Sequence, residues 1–157
     1  MSAPLLFRDA RLEDLPAIVA MLADDARGAA RENATLPLNQ NYLDAFESID
    51  NSPLNHLLVG EIELDIVATL QLTFTPGLSC IGGWRATIEA VRVVRARRGQ
   101  GIGAQLLGHA VFLARLRGCR LVQLTTNKSR KDAQRFYSAL GFSNSHEGFK
   151  LDLDSLP

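Results

Sequence analysis

The chain has 157 residues, 46% of them apolar, with 17 basic and 17 acidic side chains and a formal net charge of zero. That length suits one ordinary domain with a full core, and no apolar run approaches the ~20 residues that a membrane helix needs. Two lone cysteines, Cys80 and Cys119, and three scattered histidines, His56, His109 and His146, supply neither a disulfide frame nor a metal-ligand spacing, so a cytoplasmic domain without a metal is expected. The apolar start, Met1–Leu6, runs straight into Arg8, Asp9, Arg11 and Glu13, which is not the pattern of a secretory signal.

In chain order, Leu5–Arg8 reads as a short first strand. Asp14–Ala23 reads as an amphipathic helix with Leu15, Ile18, Val19 and Leu22 on one face. Residues 25–40 are polar and alanine-rich and read as a second helix or a mobile segment. Asn41–Ile49 is a further helix, stopped at Asn51-Ser52-Pro53. His56–Ile62 and Ile66–Phe74 read as a hairpin around Glu63-Leu64-Asp65, a turn without glycine. Thr75–Gly83, with Pro76, Gly77, Gly82 and Gly83, is a loop. Ala86–Val94 is the clearest strand and Gly101–Arg117 the clearest helix. Leu121–Thr125 is a strand. Arg130–Leu140 is a helix closed by Gly141 as a left-handed cap, and Phe149–Leu153 is expected to end the sheet. The pattern is one α/β domain with a mixed sheet, residues 1–157, and no repeat or linker.

The turn Arg98-Gly99-Gln100-Gly101-Ile102-Gly103 lies between the clearest strand and the clearest helix. Glycines there let a ligand approach the backbone closely, and the helix start adds bare N–H groups and partial positive charge. The expectation is an anion cradle. A triphosphate loop is excluded, because Gly103 is followed by Ala104 and Gln105 rather than Lys and Ser or Thr. A dinucleotide site is disfavoured, because no acid occurs from Ala90 to Lys131 to hold a ribose. The same stretch carries ten cations, leaving seven basic residues against seventeen acids elsewhere. One part of the domain is therefore suited to a polyanion. Nucleic acid is disfavoured by the neutral total and by the lack of aromatics among these arginines.

The order of these parts resembles the GNAT superfamily of N-acetyltransferases. Arg98, Gly101 and Gly103 match its pyrophosphate-binding signature, Gln or Arg, two residues, Gly, one residue, Gly or Ala. Arg8, Ala10 and Asp14 resemble its opening pattern; Phe136, Tyr137, Gly141 and Phe142 resemble its closing one. The resemblance implies a mostly antiparallel central sheet of six to seven strands flanked by about four helices. It implies acetyl-CoA as cosubstrate, no metal, a small-molecule amine as partner, no nucleic acid or membrane, and a homodimer. Cofactor contacts then fall on Val91, Val93 and Val94 of the splayed strand, on Arg98, Gly99, Gln100, Gly101, Ile102, Gly103 and Ala104 of the turn, and on Asn127 and Lys131. The C-terminal third is similar to the aminoalkylphosphonate acetyltransferase subgroup.

By the same resemblance Tyr137 is the acid that protonates the leaving thiolate. The other reading of Tyr137 is a core aromatic. Glu89 matches an acidic position ahead of the cofactor strand; it is either the base that takes the amine proton, directly or through water, or an ion-pair partner of an arginine. His146 is a candidate near the acceptor. Two rival functions stay open: an acyl-CoA-binding sensor without transfer, and a protein N-acetyltransferase.

Overall fold

The computed structural model describes residues Ala3–Ser155. They form two compact units, one ending at Leu124 and the other beginning at Thr125. The first unit runs β1 (Leu6–Asp9), α1 (Leu15–Ala23), α2 (Gln40–Asp50), β2 (Asn55–Ile62), β3 (Asp65–Thr75), α3 (Ser79–Gly82), β4 (Trp84–Val93), α4 (Ile102–Leu116) and β5 (Cys119–Leu124). The second contains α5 (Lys131–Ala139). The class is mixed α/β, as expected: a sheet in the order β1-β2-β3-β4-β5, flanked by helices. Neighbours are antiparallel except β4 and β5, which are parallel.

The sheet has five strands among the described residues, fewer than the six or seven expected. Residues 149–152 form no regular structure, and Leu153–Ser155 is a 3-10 turn. Phe149, Leu151 and Leu153 alternate as a strand would, yet all three are exposed. Alternation specifies which side chains share a face; a strand also needs a partner edge, and none pairs with this run.

Cross-strand register sorts the sheet into two faces. One carries Leu57, Val59, Thr69 and Gln71, since Leu57 pairs with Gln71 and Val59 with Thr69. Val59 packs in one cluster with Leu15, Ile18 and Met21 of α1 and Phe46 of α2. The other face carries Leu58, Leu70, Leu72, Phe74, Ala86 and Ile88. The helix α4 covers it, burying Ile102, Leu106, Leu107, Ala110 and Ala114, while His109 stacks on Phe7 at 5.0 Å. Leu58, Leu70, Leu72, Ile88 and Leu106 are fully buried, and each such side chain stabilises the fold by about 1.5–3 kcal/mol.

Two details depart from the sequence pattern. The β2–β3 turn places Glu63 and Leu64 at φ of 50° and 71° without a glycine. Of the two readings of residues 25–40, the helix is not what forms: 25–39 are turns and irregular chain, and α2 begins at Gln40. Here the Asp25 carboxylate caps the turn by accepting from the N–H groups of Arg27 and Gly28 at 3.0 and 2.6 Å.

Candidate active site

The site begins with a fault in β4. Gln71 pairs with Glu89 and Thr69 with Arg92, so Ala90 and Val91 lie opposite Leu70 alone. This is a β-bulge, with Ala90 at φ 53°. Its consequence appears on the other edge of the strand. The pairing of β4 with β5 stops at Ile88 and Leu124. From Glu89 to Val93 that edge has no strand partner among the described residues, while β3 still pairs with the far side. The free edge leads, through a 3-10 turn at Arg95–Arg97, into the glycine turn.

The turn is open. Gly99 and Gly101 sit at φ 76° and 79°, and a Cβ at either would meet no heavy atom within 4 Å. Gly101 is the N-cap of α4 and supplies no capping side chain. The first helical bond runs from the Gln105 N–H to the Gly101 carbonyl at 3.1 Å. The N–H groups of Ile102, Gly103 and Ala104 therefore lack a helical acceptor, and the positive end of a four-turn helix dipole lies behind them. An uncapped, electropositive helix start with open space before it fits a phosphate group.

The Arg98 side chain is engaged elsewhere. Its Nε donates to the Val93 carbonyl at 3.0 Å and its Nη2 to Asp24 Oδ2 at 2.9 Å. Arg95 donates to Asp24 Oδ1 at 3.0 Å. Asp24, just past α1, thus holds Arg95 and Arg98, and Arg92 lies 3.6 Å from the neighbouring Asp25. Gln100 folds back to the Ala96 carbonyl at 3.2 Å. Much of the apparent basic surplus is likewise committed: Arg117 lies 4.7 Å above the Trp84 ring, and Arg120 donates to the Cys80 carbonyl at 3.0 Å. Asp24 and Asp25 were not sequence candidates. Their signal is two consecutive acids directly after an otherwise uncharged helix.

Glu89 is exposed and, by its pairing with Gln71, stands on the α1–α2 face. Val91, Val93 and Val94 are each half-buried. The Val91 carbonyl accepts from Arg92 at 2.9 Å, and the Val94 N–H donates to Val67. Burial pushes the Cys119 thiol up, which holds it protonated and makes it a poor nucleophile. Among the described residues no group of His, Cys, Asp and Glu could hold a metal ion.

The opening motif has a clear structural use. Arg8 on β1 donates to Asp14 Oδ2 at 2.6 Å and to Glu61 Oε2 at 2.8 Å, and the Arg11 N–H donates to Asp14 at 2.7 Å. Burial alone would raise the Asp14 carboxyl, but these donors outweigh it and hold it below the ordinary carboxylate range. The network fixes the entry into α1.

In the second unit, the closing motif is a Schellman cap. The Phe142 N–H donates to the Tyr137 carbonyl and the Gly141 N–H to that of Ser138, with Gly141 at φ 89°. The Tyr137 and Phe142 rings meet at 6.0 Å, which is the hydrophobic contact of such a cap. Tyr137 is half-buried. Asn127 closes a turn by accepting from the Ser129 N–H and Oγ at 3.0 and 2.9 Å. Lys131 opens α5 and is exposed, and His146 bonds to Ser145 at 2.8 Å.

Comparison with known proteins gives the family. A curated relative, the aminoalkylphosphonate N-acetyltransferase of Salmonella typhimurium, is 44% identical over 66 residues, covering 42% of this chain and 43% of that protein. The match spans less than half the length of that relative. A structure from Bacillus halodurans C-125 described as a transcriptional regulator is 49% identical, with a TM-score of 0.93 over 96% of this chain and 100% of that one. A Clostridium acetobutylicum structure solved with acetyl-CoA shares the fold at 20% identity and a TM-score of 0.72, over 98% of this chain and 99% of that one. The family model described as the acetyltransferase (GNAT) family matches residues 19–142. The chain belongs to the acetyltransferase (GNAT) family.

Proposed function

We propose that the chain is one N-acetyltransferase domain, residues 1–157, that moves an acetyl group from acetyl-CoA to a primary amine of a small molecule in a ternary complex. The observation that carries this reading is the unpaired edge of β4 leading into the uncapped start of α4. A pantetheine arm has amides spaced to pair with such an edge as an added strand, and its diphosphate has the charge that the cradle favours. Arg98 then acts by bracing the turn against Val93 and Asp24 rather than as a direct phosphate ligand. Asn127 and Lys131 remain proposed contacts to the cofactor.

In the transfer step the neutral amine nitrogen attacks the thioester carbonyl carbon. A C–N bond forms, the C–S bond breaks, and the electron pair leaves on sulfur. Glu89 accepts the proton lost from the amine, directly or through water, and Tyr137 donates one to the thiolate. Backbone N–H near Val93 polarises the carbonyl. Neither Cys80 nor Cys119 lies on the free edge of β4 or in the glycine turn, so the step is direct attack rather than passage through an acyl-enzyme.

The test is thiol release from acetyl-CoA across a panel of amines, including an aminoalkylphosphonate, the substrate class in the name of the Salmonella relative. Amine-dependent release with an acetylated product is expected. Tight CoA binding with no turnover on any amine would overturn the reading. It would favour an acyl-CoA sensor instead, a role in keeping with the description of the Bacillus relative.

A further inference from the structure

The first unit contains a cavity of about 140 Å³ on the α1–α2 face of the sheet. Its walls include Ile18, Leu22, Phe46, Ile49 and Leu57, and it reaches Ala90 at the β4 bulge. No Lys, Arg, Asp or Glu lines it. Three lining side chains carry polar atoms, and two of these are already committed. The Tyr42 hydroxyl donates to Glu32 at 2.9 Å and accepts from the Asn33 N–H at 3.0 Å. The Thr69 hydroxyl donates to the Leu58 carbonyl at 2.9 Å. Gln71 is the third, and its register partner is Glu89.

The cavity thus has a hydrocarbon body and one polar corner, and that corner adjoins the carboxylate assigned to the amine proton. An apolar cavity of ~150 Å³ takes a ligand the size of benzene, and this one, open on one side, has room for a group of that size. A phosphonate, sulfonate or polyamine acceptor would need charged partners that these walls lack, because burying an unpaired charge is far costlier than burying a ring.

We infer that this cavity is the acceptor subsite and that the acceptor is a primary amine carrying one compact apolar group, a branched alkyl chain or a single aromatic ring. The inference rests on the acetyl-transfer reading for its chemistry, but binding alone can be measured without it. The bulge explains the placement: Ala90 turns the strand so that the end of the cavity and Glu89 fall on the same side of β4.

The experiment compares isoamylamine and phenethylamine with ethanolamine and aminomethylphosphonate, by thiol release and by calorimetric binding. It uses the full chain and two variants at the cavity rim, Ala45→Leu and Ala45→Phe. Ala45 lines the cavity at its exposed rim, so a larger side chain there can narrow the opening without disrupting the core. The apolar amines should exceed the polar ones about tenfold or more in kcat/KM. Ala45→Phe should raise their KM about tenfold or more while CoA affinity stays within twofold, with Ala45→Leu between. Apolar amines that bind the wild type, lose affinity in Ala45→Phe and never release thiol would leave the subsite standing and remove the transfer reading. Turnover of polar amines only, or an apolar-amine KM unmoved by both variants, would overturn the subsite and leave transfer intact. Absence of both binding and turnover for every amine would overturn both.

Discussion

Gly101 and Gly118 form a matched pair that separates ligand binding from backbone strain. Each sits at φ 79° at one end of α4, and a Cβ at either meets no heavy atom within 4 Å. Replacing either with alanine forces an L-residue into the left-handed region, which costs about 1–2 kcal/mol. For a domain of this size the melting temperature then falls by roughly 2–8 °C, and by the same amount in both variants. Only at Gly101 does the added methyl enter the cradle. There it displaces a diphosphate from N–H donors whose hydrogen bonds to a charged group are each worth about 1.5–3 kcal/mol. Losing one such bond weakens CoA binding roughly 10- to 150-fold. Urea denaturation measures the first effect and calorimetric CoA titration the second. Gly101→Ala should lose both stability and CoA affinity, and Gly118→Ala stability alone. Equal loss of CoA affinity in the two variants, or unchanged affinity in both, would refute the assignment of the cradle.

Other outcomes follow from the same geometry. Asp14 is held below the ordinary carboxylate range when folded, so its contribution is complete above the unfolded value of ~3.9 and is lost as pH falls through the lower folded value. Asp14→Asn should therefore cost about 1–3 kcal/mol at neutral pH and flatten the acid limb of a stability-against-pH curve; an unchanged limb would remove the Arg8–Asp14 pair from the account. Glu63→Asn with Leu64→Gly supplies the residues that a turn with two positive φ angles prefers, and Leu64 is 86% exposed, so little packing is lost. The double variant should gain about 1 kcal/mol, read as a higher urea midpoint at constant slope. Tyr137→Phe keeps the ring that packs on Phe142, so stability and CoA affinity should hold while turnover drops at least tenfold. Unchanged turnover would assign the proton to another donor.

The sequence made some parts of this protein plain and concealed others, for definite reasons. α1, α4 and β4 were legible because their apolar periodicity is long and their packing obeys it. The left-handed cap at Gly141 was legible because glycine is the residue that conformation selects. The Ala90 bulge was not: Ala90-Val91 breaks the alternation by a single residue, and the positive φ falls on alanine with no glycine to mark it. The hairpin turn hid its conformation in the same way. Phe149, Leu151 and Leu153 misled because their alternation carried no information about a pairing edge. At the candidate site, the glycine turn could be read from local spacing, whereas the Arg98–Asp24 contact joins residues 74 positions apart. The apolar cavity is assembled from two helices and three strands, so no single segment signals it.

The most direct measurement is a crystal structure of the chain with CoA bound. The account predicts the diphosphate on backbone N–H groups of residues 101–104 and the pantetheine amides paired along the free edge of β4 from Glu89 to Val93. The thioester end should then lie between Val93 and the Ala90 bulge. CoA bound away from the α4 start, with that edge of β4 left unpaired, would contradict it.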